Sequence, residues 1–298
     1  VLGLTGVLFG IIEGPSLGWT SLAVLVALVA GASLVAAFVR RELRADDPLF
    51  DVRILRRPVV AAGAITLFVA YALFNSFLFL NPQYLQDVEG ESIVAVGLLL
   101  VPFAVVFGVC STQAPTVLAR LGGRHTITLG LVASAVAALT FALATGRSVA
   151  ATIVASVVFG AGLSLLIAPP STVVMNDLPP AKAGDGSSLN FVSRFVGAAI
   201  GIAVVGSVLA SVYASSVDAA IGSLASSQAE AARGSIQGAL DVASTLPPSA
   251  DQSLTEAARD GFVDGATIAY VVVAVLAALA ALWAWFALPQ EADRPPTD

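Results

Sequence analysis

Charge is what this sequence has least of. Only 11% of its 298 residues are Asp, Glu, Lys or Arg, against roughly 25% in a soluble domain, so water cannot solvate the folded chain. One cysteine, Cys110, excludes an intrachain disulfide, and its place in an apolar run makes it a small core residue. One histidine, His125, leaves a metal site or a His-based triad without the partners that either needs. The net charge of −6 carries no nucleic-acid footprint.

Apolar residues make up 57% of the chain. They come in long uninterrupted runs instead of amphipathic stripes, which is the pattern of a chain solvated by lipid. The runs are 1–12, 20–39, 58–82, 93–113, 126–145, 149–169, 188–211 and 265–288, with polar or Pro/Gly-rich breaks between them. The fold class is therefore all-α and integral to the membrane, with about eight transmembrane helices and the lipid bilayer as partner. Residues 1–12 rise only about 18 Å, less than the hydrocarbon core of about 30 Å. The first helix is accordingly expected to be cut, and the chain to be a piece of a longer protein.

Basic residues set the orientation. If the runs alternate, one side holds Arg40, Arg41, Arg44, Arg53, Arg56, Arg57, Arg120, Arg124, Lys182 and Arg294, and the other only Arg147, Arg233 and Arg259. The first side is expected to be cytoplasmic and the acidic turn Asp87, Glu89, Glu91 external. The long connection 212–262 reads first as a solvated external spacer, with parts such as 224–243 as possible short amphipathic helices. Residues 289–298 read as a disordered cytoplasmic tail.

The runs differ in polarity. Segments 126–145 and 265–288 are bland, with Trp283 and Trp285 placed for an interfacial belt, and are expected at the periphery. Segment 58–82 carries Tyr71, Asn75, Phe79 and Asn81. Segment 188–211 carries Asn190, Arg194, Gly197 and Gly201, spaced four, three and four so that they form one stripe. Such stripes are expected to face the bundle interior, the glycines allowing close helix approach. Tyr71, Asn75, Phe79, Asn81, Asn190 and Arg194 are the candidate lining of a substrate pathway. Two readings of Arg194 stay open, snorkelling to the interface or holding an anion or carboxylate. The asparagines have interhelical glue as their alternative.

Several stretches resemble a known family. EGPSLGW (13–19), PLFDVRILRRP (48–58), NPQYLQDVEGESIVAVGLLLVP (81–102), LARLGGR (118–124) and the stretch from Ala183 to Gly206 are similar, in that order, to the C-terminal part of major facilitator superfamily transporters. The type they resemble is the fourteen-helix drug:proton antiporter of the EmrB/QacA kind. The resemblance implies a central hairpin at 1–39, a basic cytoplasmic linker at 40–57 and one six-helix bundle at 58–288 containing the external loop 212–262. It implies a missing N-terminal six-helix half as partner, export of hydrophobic small molecules, and no cofactor beyond a proton gradient. The location it implies is the bacterial plasma membrane, with the C-terminus in the cytoplasm. It also gives Arg120 and Arg124 a role as a conformational latch, with positive-inside anchoring as the alternative.

Proton coupling needs a titratable group within the membrane. No Asp, Glu, His or Lys lies in the interior of a run, and Asp185 sits only at a helix mouth, so the coupling carboxylate is expected in the absent half. An enzyme is disfavoured by the lone His125 and Cys110. An uptake permease of the same fold and a non-transporting receptor or scaffold remain the alternatives.

Overall fold

The computed structural model describes residues 1–45, 51–222 and 224–288. Residues 46–50 of the expected linker and the expected tail 289–298 lie outside the described residues. The described chain is helical almost throughout, and all eight apolar runs are helices. In order these are α1 (Leu2–Leu17), α2 (Leu22–Glu42), α3 (Pro58–Gln83), α4 (Ile93–Leu99), α5 (Val101–Ala144), α6 (Val149–Asp177), α7 (Ala183–Ile221), α8 (Ser226–Gly234), α9 (Ile236–Ala243) and α10 (Pro248–Ala287). A 3₁₀ turn, Val52–Arg56, precedes α3. Among the described residues six helical stretches are long and apolar enough to cross a membrane.

Local chemistry sets the helix ends. Ser21, Ser92, Ser148 and Ser235 each accept a bond from the backbone N–H three residues on, satisfying one of the four orphan donors of a helix start. Pro58 and Pro248 open α3 and α10, where a missing N–H costs nothing. Pro82 lies near the end of α3, and the chain then widens into a π-turn over Tyr84–Val88.

One of the six stretches, Ile93–Ala144, has 52 residues, more than twice what a bilayer core needs. Gly122 resolves this, with φ 75° and ψ 165° inside α5, a conformation that favours glycine. Phe103 and Phe141 are equidistant from Gly122 in sequence and would lie about 57 Å apart in a straight helix. Both rings instead meet Phe77, at 5.0 and 5.4 Å between centroids. The helix therefore folds back on itself at Gly122 into two antiparallel halves. The connection expected over 114–125 is helix on both sides of that single residue.

The core sits where these halves meet α3, α6 and α10. Phe77, Phe103, Phe141 and Phe159 cluster there, and Tyr270 stacks on Phe141 at 5.0 Å. Bulky aromatics in mutual contact contribute roughly 0.5–1.5 kcal/mol per pair beyond their buried area.

Segment 212–262, whose first reading is a solvated spacer, is instead mostly helical and packed. α7 and α10 run on past the length a bilayer needs. Tyr213, Val217 and Ile221 of α7, spaced by four, bury with Leu254, Ala258 and Phe262 of α10, also spaced by four. Ala232 of α8 and Ile236, Ala239 and Ala243 of α9 are buried in the same cluster. The Tyr213 hydroxyl donates to the Ala232 carbonyl at 3.0 Å, and Arg233 pairs with Asp218. The segment looks polar in sequence because its buried positions stand singly among Ser, Gln and Asp, and the alanines among them, Ala232, Ala239, Ala243 and Ala258, let the helices pack closely.

At the other end of α3, the 3₁₀ turn is tied to the α6–α7 connection. Lys182 pairs with Asp51. Arg57 donates to the Asp177 carbonyl at 2.6 Å and lies 3.4 Å from its carboxylate. The Lys182 hydrogen bond, outweighing partial burial, holds the Asp51 carboxyl below its ordinary pKa.

Candidate functional site

α3 and α7 form the seam on which the candidate residues lie. A Cβ on Gly197 would sit 2.3 Å from the Phe68 carbonyl oxygen, and one on Gly201 the same distance from that of Ala72. The absence of side chains at these two positions is what lets the helices touch backbone to backbone. Ser76 joins the seam, its hydroxyl lying 2.8 Å from the Ala72 carbonyl and 3.3 Å from that of Gly201.

This contact sets the register of the polar residues. The Arg194 guanidinium lies 5.2 Å from the centre of the Tyr71 ring and 5.9 Å from that of Phe195. Phe195 in turn stacks on Phe191 at 6.3 Å. Arg194, Phe191 and Phe195 are exposed, and Arg194 has no acidic partner among the described residues. A guanidinium over aromatic faces gains about 0.5–2 kcal/mol, far less than an ion pair in a low-dielectric setting returns. Asn75 is partly buried beside this group and donates to the Tyr71 carbonyl of its own helix at 2.9 Å.

The six candidate lining residues do not converge on one surface. Tyr71 and Asn75, both half-buried, form one group with the exposed Arg194. Asn190 instead crosses to α6, donating to the Ser171 hydroxyl at 3.1 Å while its carbonyl oxygen is buried without a partner. Asn81 is 1% exposed and lies beside the Tyr270 hydroxyl of α10, neither group completing a hydrogen bond. Both asparagines thus sit at helix crossings. Phe79 lines a third place, a cleft of about 260 Å³ beneath α8 and α9 that it shares with Gln83, Asp87 and Tyr213. The reason is periodicity. Residues 71, 75 and 79 step about 40° each round α3, so 79 lies about 80° from 71 and about 12 Å further along the axis, and 81 lies about 80° off on the other side.

Arg120 and Arg124 flank the Gly122 turn. The Arg124 guanidinium lies 4.4 Å from the centre of the Trp285 indole, and Arg120 is exposed. Neither has an acidic partner among the described residues. The ion pairs that join elements at this end are Lys182–Asp51 and Arg57–Asp177. Sequence reasoning did not find them, because partners 131 and 120 residues apart leave no local spacing signal. Glu42 was also missed. It closes α2 at 2% exposure, just past the apolar run.

A bundle of membrane-length helices, with a seam of glycines displaying an arginine among aromatics, defines a multi-pass membrane protein of the transporter class. The chain belongs to the Major Facilitator Superfamily, whose family profile matches residues 1–202. Among curated relatives, the multidrug resistance protein Stp of Mycobacterium tuberculosis is 29% identical over 197 residues, 66% of this chain and 37% of that protein. The lincomycin resistance protein LmrB of Listeria monocytogenes is 30% identical over 189 residues, 63% of this chain and 40% of that one. The tetracenomycin C resistance and export protein of Streptomyces glaucescens is 28% identical, covering 65% of this chain and 37% of that one. The chain thus spans well under half the length of these relatives. A solved structure shares the fold, that of a bacterial homologue of the human lysosomal transporter Spinster. Its TM-score is 0.58 at 17% identity, covering 95% of this chain and 64% of that one. The family is one of transporters, not enzymes.

Proposed function

We propose that this chain is the C-terminal part of a proton-coupled exporter of hydrophobic small molecules in the bacterial plasma membrane, with its C-terminus in the cytoplasm. The observation that carries the reading is the group on the α3–α7 seam in which the exposed Arg194, Phe191 and Phe195 meet the half-buried Tyr71 and Asn75. It joins an uncompensated cation to aromatic and amide surface, as a wall that meets both an amphipathic solute and an opposing helix requires. The names of the resistance and export relatives support the direction of transport. The bias of basic residues toward the Gly122 turn, the 51–57 segment and Lys182 supports the orientation.

The spans carry no acid, histidine or lysine in their interiors, so the coupling carboxylate belongs to the N-terminal half. Arg194 is the group such a carboxylate would meet when the halves close. Alternating access needs two bundles rocking about a central site, and this chain supplies one.

The test is efflux in everted vesicles from cells expressing the complete transporter, with and without an imposed proton gradient. Gradient-dependent accumulation of a hydrophobic dye is expected, and Arg194→Gln should reduce it at least tenfold with unchanged membrane abundance. Accumulation only in right-side-out vesicles would identify an uptake permease. No gradient-dependent movement in either orientation would leave a scaffold.

A further inference from the structure

The outer surface between the second half of α5 and the end of α10 carries a groove that the transport pathway does not use. Two adjoining hollows, of about 500 and 350 Å³, share Thr128, Val132 and Trp285, so they form one channel along the bundle. Its head, beside the Gly122 turn, is lined by Arg120 and His125. Its body is apolar, running past Val136 to Ala278 and Leu282. Among the described residues no acidic side chain lines either hollow.

Two polar atoms near the head lack partners, one of them on Arg124, which lines neither hollow but lies over Trp285, which lines both. Arg124 Nε and Thr128 Oγ1 are both buried and unbonded, and they lie one turn apart on the same helix face. Buried polar atoms left unpaired are destabilising, so a ligand oxygen that reached them would be favoured. Trp285 holds the head together, with the Arg124 guanidinium at 4.4 Å and the His125 ring edge-on at 5.6 Å. From Arg124 to Val136 the helix rises about 18 Å, on the scale of one leaflet's hydrocarbon, about 15 Å.

We infer that this groove binds an anionic phospholipid. The headgroup phosphate lies at Arg120 and Arg124, with a headgroup or ester oxygen accepting from Thr128, and one acyl chain lies along Val132, Val136 and Leu282. Two arginines with no carboxylate partner among the described residues favour a ligand of net negative charge. The apolar body requires a chain, which a free phosphate does not have. A zwitterionic lipid brings its own ammonium and adds no net charge against the two arginines, whereas an anionic lipid offsets one of them. This assignment gives Arg120 and Arg124 a task that needs no acidic partner within the chain, and it is independent of the direction of transport.

Native mass spectrometry of the purified chain in a mild detergent tests it. The protein is titrated in parallel with phosphatidylglycerol, phosphatidylcholine and inorganic phosphate. Phosphatidylglycerol adducts are expected at a lipid concentration at least tenfold below phosphatidylcholine, with no phosphate adduct in that range. The double variant Arg120→Gln/Arg124→Gln should bring the two lipids level, whereas Arg40→Gln/Arg41→Gln should retain the preference. Val132→Trp fills the groove and keeps the charges, and it should weaken phosphatidylglycerol binding at least threefold. Equal binding of both lipids by the unaltered protein overturns the inference without reference to any variant. So does a preference that survives loss of both arginines. Phosphate binding as strong as that of lipid, unchanged in Val132→Trp, would replace the lipid site with a simple anion site.

Discussion

At the scale of single residues, the smallest side chains have the sharpest consequences. A Cβ at position 201 would meet the Ala72 carbonyl oxygen at 2.3 Å, a contact with backbone that no rotamer change relieves. Gly201→Ala should therefore separate α3 from α7 at a cost of about 1–3 kcal/mol, read as a lower midpoint of thermal unfolding in detergent. Gly97→Ala, where a Cβ meets nothing within 4 Å, should leave that midpoint in place or raise it. Arg194 and Tyr71 behave differently, since their contact is exposed. Tyr71→Leu should cost at most about 0.5–2 kcal/mol in stability yet change export severalfold in the complete transporter. Asn75→Ala removes only a bond to its own helix. Export that is unchanged for every compound would make Asn75 a structural residue. The residue types of this group stood out in sequence, because an arginine and a tyrosine are conspicuous within apolar runs, while snorkelling stayed open as the other reading of Arg194. Its membership was not, because which of residues 75, 79 and 81 shares a face with Arg194 depends on how α3 is rotated against α7.

At the scale of elements, the two ends of the bundle are held by different forces. The 3₁₀ turn is held by charge. Asp51 has a depressed pKa, chiefly through the Lys182 bond, so its pair contributes fully above the ordinary aspartate value of about 3.9. That contribution is lost as pH falls through the lower folded value. Lys182 is substantially exposed, so the contribution stays within about 1 kcal/mol. The protection factor at 51–56, exchange normalised to the intrinsic rate at each pH, should fall as the solution is acidified below about pH 4, and Lys182→Met should make that protection low and independent of pH over this range. The α8–α9 cap is held by packing instead. Phe262 is 2% exposed beneath it, and Phe262→Ala should cost about 3–5 kcal/mol and open residues 222–248 to protease. Tyr213→Phe, losing one neutral hydrogen bond, should cost only about 0.5–1.5 kcal/mol. An average of composition hides such a cap, because alanine and serine read as polar filler until their spacing of four is matched to a partner helix.

At the scale of the whole molecule, the exposed surface of the helices is overwhelmingly aliphatic. Leu22, Val29, Val94, Leu98, Leu143 and Phe286 are each more than 60% exposed. An area of this kind is stable only against lipid or another bundle. The isolated chain should stay dispersed only in detergent or bilayers, and light scattering on dilution below the micelle concentration should show immediate aggregation. On the proposed reading, the chain reconstituted alone should move no substrate, because one bundle of a rocking pair encloses no site.

Sequence alone determined that the chain crosses a membrane repeatedly as helices, since run length and the near absence of charge depend on nothing beyond each segment's own residues. Family membership was legible for the same reason, through short motifs in a set order. Tertiary structure alone decided that α5 doubles back at one glycine, that 212–262 packs as a cap, and that the candidate polar residues fall into three separate places. Each of these depends on the distance and rotation between segments far apart in the chain, and a residue's neighbours across a helix seam are not written in its neighbours along the backbone.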